Sequence, residues 1–141
     1  MFETVKRYRR GIAVLVATVV WSAAAGAQST RPAPAGPDLQ GLWDFTMRAG
    51  DRMSPGFFAL GPVGQNWAGS ITMYLTNTLA IPVLTVSGDS VRMVVASREG
   101  DVVFRARLSQ DGQSMEGIVD YHGGARLPMV ATRRAQPVVP R

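Results

Sequence analysis

Apolar and polar positions alternate with a period of two over much of the chain. In residues 101–108, Val102, Phe104, Ala106 and Leu108 share one side, and Asp101, Val103, Arg105 and Arg107 share the other. That is the pattern of a half-buried strand. Ser109-Gln110-Asp111-Gly112-Gln113 then makes a turn, with Asp-Gly as its tight corner. Met115, Gly117, Val119 and Tyr121 continue an apolar side, opposite Glu116, Ile118, Asp120 and His122. If Leu108 faces Met115, Arg107 stands opposite Glu116 and Asp101 opposite His122, which are favourable cross-strand pairs on the wet face. The same register sets Ala106 opposite Gly117 and predicts a gap on the inner face.

The grammar recurs along the chain. Ser87-Gly88-Asp89-Ser90 separates a strand over 81–86 from one over 91–96, where Val91, Met93 and Val95 share a face. Arg98-Glu99-Gly100 joins that strand to the next, and Gly123-Gly124 joins the Tyr121 strand to a last one over 127–133. Earlier, residues 42–48 place Trp43, Phe45 and Met47 on one face, and residues 69–75 do the same with Ile71, Met73 and Leu75. A weaker strand signal covers 56–60, and Gly61-Pro62-Val63-Gly64 reads as loop. No stretch of the folded region shows a 3.6-residue period. The fold expected is all-β: an antiparallel up-and-down meander of about eight strands, closed or nearly closed into a small barrel so that its edges are covered.

The first 27 residues break this pattern. Lys6, Arg7, Arg9 and Arg10 precede an apolar run over 11–20, and Ala25-Gly26-Ala27 is an A-x-A cleavage pattern. Together they predict a signal peptide over 1–27 and export to the periplasm or the medium. The run is shorter than a membrane span requires, and without cysteine there is no lipid anchor, so no stable membrane span is expected after cleavage. The Pro- and Ala-rich residues 28–38 read as a disordered tether, residues 39–134 as the folded domain and residues 135–141 as a disordered tail.

Cleavage changes the charge. Four of the 15 basic residues and one of the 10 acidic ones lie before the cut, leaving 11 arginines against nine carboxylates. Those arginines are scattered one or two at a time in the sequence, unlike a nucleic-acid-binding strip, so no nucleic acid is expected as a partner. With no cysteine and the single histidine His122, neither a disulfide nor a usual zinc site is available, and no metal or other cofactor is expected. The motifs G-x-S-x-G, H-E-x-x-H and S-x-x-K are absent. Asp89, Asp101 and Asp111 each sit at a turn beside or near glycine, where turn chemistry accounts for them.

The opening Gly41-Leu42-Trp43 and closing Ala131-Thr132-Arg133 resemble the calycin arrangement shared by lipocalins, fatty-acid-binding proteins and avidin-like barrels. That resemblance implies a barrel in which Trp43 and Arg133 pack together at the closed end. The chain also resembles small exported bacterial domains of uncharacterised function, through Trp43-Asp44-Phe45-Thr46, Gly88-Asp89, Asp111-Gly112 and Met115-Glu116-Gly117.

Three functional readings follow. The first is a non-enzymatic exported binding module for a small apolar or amphipathic molecule, its lining drawn from Phe45, Met73, Met93, Phe104 and Tyr121. The methionines and the Ala106/Gly117 gap would suit a deformable pocket. The second is a structural or accessory domain with a filled core. It would contact a protein partner through the stretch from Met47 to Gly69, read as a loop region carrying Phe57, Phe58 and Trp67. The third is a hydrolase using His122 as base, with Asp120 on its strand face and Ser109 or Ser114 nearby.

Overall fold

The structure is a computed structural model, and residues 34–74 and 77–135 are described. The expected signal peptide over 1–27, residues 28–33 of the expected tether, Leu75, Thr76 and residues 136–141 lie outside the described residues. Among the described residues, nine antiparallel strands follow one another: β1 (Gly41–Ala49), β2 (Arg52–Val63), β3 (Asn66–Met73), β4 (Thr78–Ile81), β5 (Val83–Ser87), β6 (Ser90–Ser97), β7 (Gly100–Leu108), β8 (Ser114–Asp120) and β9 (Arg126–Arg133). Their order in the single sheet is β4-β3-β2-β1-β9-β8-β7-β6-β5. The meander therefore returns on itself where β9 pairs with β1, Phe45 opposite Ala131.

The two ends of this sheet, β4 and β5, are consecutive in sequence and separated by Pro82 alone. β4 hydrogen-bonds β3, whereas β5 hydrogen-bonds β6. β4 also runs alongside β6, and β5 alongside β3, so the barrel is nearly closed by one bent segment shared between its two edges. Sequence alternation suggested one strand over 81–86. The structure splits it because Pro82 has no N–H for a ladder and shifts the side-chain parity. Leu79 and Ile81 share the inner face before it, and Leu84 and Val86 share it afterwards, through the pairs Ile71–Leu79, Gly69–Ile81, Leu84–Met93 and Val86–Val91.

The β7–β8 register matches the one read from the turn: Leu108 faces Met115, Arg107 faces Glu116 and Ala106 faces Gly117. Three expectations around it need correction. No gap exists at Gly117, because β7 presses onto it; a Cβ there would lie 2.0 Å from the Arg105 carbonyl oxygen and 2.6 Å from the Ala106 Cα. Asp101 pairs with Ala96 and does not face His122, since β8 ends at Asp120 and His122 begins a short 3₁₀ turn. Gly61, Pro62 and Val63 are strand, not loop. They extend β2 beyond its pairing with β1, which stops at Leu60, and a two-residue turn at Gly64-Gln65 closes the hairpin onto Asn66.

The inner face is filled through most of its depth. Phe45 stacks on Phe58 at 4.4 Å between ring centroids, and Phe104 meets Phe58 edge-on at 5.3 Å. Met93, Met115, Val119 and Met129 close around these rings and are fully buried. Gly56 makes room for the cluster: a Cβ there would stand 2.5 Å from the Phe45 ring.

Candidate functional site

The two ends of the barrel differ in kind. At one end the chain before β1 crosses the opening and Leu39 is sealed inside it. The Trp43 indole donates to the Leu39 carbonyl at 3.0 Å. The Arg133 guanidinium lies 4.4 Å from the Trp43 ring centre, a cation–π distance. Its fork donates to the Gly112 carbonyl at 3.1 Å and to the Gln40 and Asp38 carbonyls at 2.5 Å each. Three chain segments are thereby tied to one side chain, and this end is a cap.

The turn beside the cap, Ser109–Gln113, is held by Asp111. Its carboxylate accepts from the Ser109 hydroxyl at 2.5 Å and from the Gln113 N–H at 3.0 Å. The Ser109 hydroxyl and then the Gln113 amide keep this carboxyl below its ordinary 3.8. Asp111 is thus occupied by turn chemistry.

The opposite end is a mouth. A cleft of about 530 Å³ enters there between β3–β4 on one side and β6–β9 on the other. Its floor is Phe104, and Met47, Ile71, Met73, Val95, Val102 and Leu127 form apolar walls. Leu79 and Tyr121, 40% and 43% exposed, stand at the lip. The polar rim comprises Ser54, Asn77, Ser97, Arg98, Glu99 and His122. On the side of β4, the β5–β6 ladder ends at Val94, and β4 lies near β6 without a ladder to it.

Of the five lining residues expected from sequence, Met73, Phe104 and Tyr121 line this cleft, whereas Phe45 and Met93 lie below it in the filled core. The sequence reading did not single out Leu79, Val95, Val102 or Leu127 as lining, nor Ser97 on the rim. Ser97 continues the inward series Val91, Met93, Val95 by one step, a signal that was present but stopped short at the Arg98-Glu99-Gly100 turn.

His122 and Ser97 meet at the rim although 25 positions separate them. The Ser97 hydroxyl donates to the Gly100 carbonyl at 2.7 Å and accepts from the Glu99 N–H at 3.2 Å. His122 Nε2 lies 3.1 Å from the same oxygen and 3.7 Å from the Glu99 carboxylate. The donor in the Ser97–His122 contact is set by the tautomer of the His122 ring. The carboxylate and the serine also crowd the same ring nitrogen, whereas a triad needs them on opposite nitrogens. Asp120 does not touch His122; it pairs with Arg105 and Arg126 on the outer wall. Ser109 and Ser114 belong to the capped end.

That outer wall also gathers charge. Arg92 and Arg105 are direct cross-strand neighbours, and Arg107 and Arg126 border the same shallow groove over Gly117. The arginines scattered in sequence are thus clustered in space. Asp89 and Asp120 nevertheless pair with Arg107, Arg105 and Arg126, so the face is a mixed-charge network and not a uniform strip.

No family model matches the chain, and no curated protein matches it.

Proposed function

We propose that this barrel is an exported, non-enzymatic binding module that takes a small apolar or amphipathic molecule into its open mouth. The observation carrying this reading is the cleft itself: about 530 Å³, apolar from Phe104 outward and polar only at its rim. A concave apolar site with a few convergent polar groups is the usual form of a small-molecule pocket. Burial of apolar ligand surface supplies the driving force, at roughly 25 cal/mol per Å² before the costs of association. The leader in the sequence and the calycin-like plan, capped by Trp43 and Arg133, support an exported carrier or receptor domain rather than an intracellular one.

A contact role for the stretch from Met47 to Gly69 has less support. This stretch is the end of β1, the β2–β3 hairpin and no long loop. Phe58 is fully buried, Trp67 packs on the core, and Phe57 lies beneath Arg134 at 5.5 Å.

Native mass spectrometry of protein exported by a host cell and purified without organic solvent tests the proposal. An added mass of a few hundred daltons, lost on extraction with organic solvent, is the expected result. A bare chain that also fails to bind any member of a panel of apolar dyes and alkyl compounds would overturn it.

A further inference from the structure

We infer that the outer wall formed by β2, β3 and β4 is the seam of a two-fold dimer, and that its occupant is a second copy of this chain. This does not depend on the binding reading above.

The observation begins in the sequence. From Met53 to Gly88 no residue is charged, although 15 basic and 10 acidic residues stand elsewhere in the chain. The fold gathers that run on one side of the barrel, because β2, β3 and β4 are neighbours in the sheet. Cross-strand pairs define its outer face. Ala59, Ser70 and Ala80 form one row and Thr72 and Thr78 another, with Gly61–Ala68 and Val63–Asn66 toward the hairpin tip. Among the described residues from Met53 to Ala80, no outward position carries a charge. Charge resumes on both flanks. On β1, Asp44 takes the Arg134 guanidinium, which also lies against Phe57. Beyond β5, Arg92 of β6 stands directly opposite Arg105. A centre depleted of charge inside a charged rim is what separates an interface from ordinary surface.

The wall also carries unused apolar side chains. Met53, Val63 and Tyr74 are each more than half exposed, and none of them lines the cleft. They are different anchors from Phe57, Phe58 and Trp67, which Arg134 and the core already engage. Covering the wall costs little in polar groups, since the Thr72 and Thr78 hydroxyls bond each other at 2.7 Å.

Charge and shape together choose the occupant. A strongly acidic or basic partner would lose hydration here and find no counter-charge. A second copy brings a face equally free of charge, so no like charges meet. Isologous pairing further demands that the face match itself. Tyr74 N–H donates to the Pro55 carbonyl at one end of the wall, and Val63 pairs with Asn66 at the other. The Ala59–Ser70 pair lies midway between them. A two-fold axis through that pair lays the Pro55–Tyr74 end of each copy over the Val63 tip of the other. The low centre of Ala59, Ser70 and Ala68 lets the two walls close.

Sedimentation equilibrium of the full chain, purified without denaturant and followed through the micromolar range, tests the seam. The expected result is a mass rising to twice that of the chain. Ser70→Arg places two like charges beside the axis and should weaken association about tenfold or more. Val63→Asp, at the exposed hairpin tip, should weaken it as well and is the second variant should Ser70→Arg not fold, as judged by circular dichroism. Glu116→Gln raises the net charge by the same unit on the far wall and should leave association unchanged. A monomer at every concentration would overturn the second copy as occupant. A dimer that tolerates both Ser70→Arg and Val63→Asp, or one lost equally in Glu116→Gln, would overturn this wall as its seam. None of these outcomes bears on ligand binding at the mouth, which the mass measurement above reads separately.

Discussion

Phe104 shows how one residue can serve both the core and the site. Its ring closes the aromatic cluster with Phe45 and Phe58 from above and forms the floor of the cleft from below. Phe104→Ala should therefore cost about 3–5 kcal/mol in urea unfolding, the range for a buried aromatic truncated in a packed core. Gly56→Ala adds one methyl where the Phe45 ring and the Thr72 carbonyl oxygen already stand at 2.5 and 2.6 Å. It should destabilise by about 1–3 kcal/mol through overpacking, seen as a lower midpoint in the same titration. Two surface carboxyls set an acid limit. Asp44 is held below 3.8 chiefly by its hydrogen bond from Arg134, and Asp111 by the Ser109 hydroxyl and then the Gln113 amide. A carboxyl depressed in the folded state contributes fully above its unfolded value and loses that contribution as pH falls through the folded one. Thermal midpoints should thus be flat above about pH 5 with respect to these two groups and decline below about pH 4. Asp44→Asn with Asp111→Asn should show a lower plateau and a shallower acid decline.

At the scale of the strands, proline placement follows one rule. Pro55 lies one position before β2 begins pairing with β3 at Gly56, Pro62 lies beyond its pairing with β1, and Pro128 lies beyond the β1–β9 ladder that ends at Met129. Each proline sits where a neighbouring strand is missing on one side, so its absent N–H costs no ladder bond. This is why Gly61 to Val63 reads as loop in isolation yet extends β2: the hairpin continues past the edge of β1, a fact of tertiary arrangement. Pro82 is the stronger case, since it divides the closing segment between two different partners. β4 and β5 are short, and each has a hydrogen-bonded neighbour on one side only. Their amides should exchange with solvent well before those of β1, β8 and β9, which are paired on both sides. Hydrogen exchange followed by mass spectrometry or NMR would show this, and uniform protection around the barrel would contradict the bent-strand closure.

For the whole molecule, one end of a filled barrel is capped and the other holds a shallow apolar cleft. The cap ties the segment before β1, the Gly112 turn and β9 through Arg133, so Arg133→Lys should lower the thermal midpoint. A lysine ammonium cannot present the forked donors that reach three carbonyls from a position over an indole. Tyr121 has the opposite profile. It is 43% exposed at the lip, so Tyr121→Ala should weaken dye binding severalfold while moving the unfolding midpoint little. Unchanged dye affinity in that variant would remove the tyrosine from the site.

The strand alternation, the Asp-Gly and Gly-Gly corners and the Trp43 and Arg133 positions were legible in the chain because each is a local or periodic signal. A period of two assigns faces, and a tight turn sets register, so the β7–β8 pairing could be read to the residue. What tertiary structure decided is everything that depends on neighbours distant in sequence. The split at Pro82 arises because two different strands compete for one segment. The collapse of the Gly117 gap arises because backbone can approach where side chains are small. The depth to which the barrel fills depends on three aromatic rings from three strands meeting at one level. The meeting of His122 with Ser97 is of the same kind: the end of β6 and the turn after β8 come to one lip because both strands flank β7.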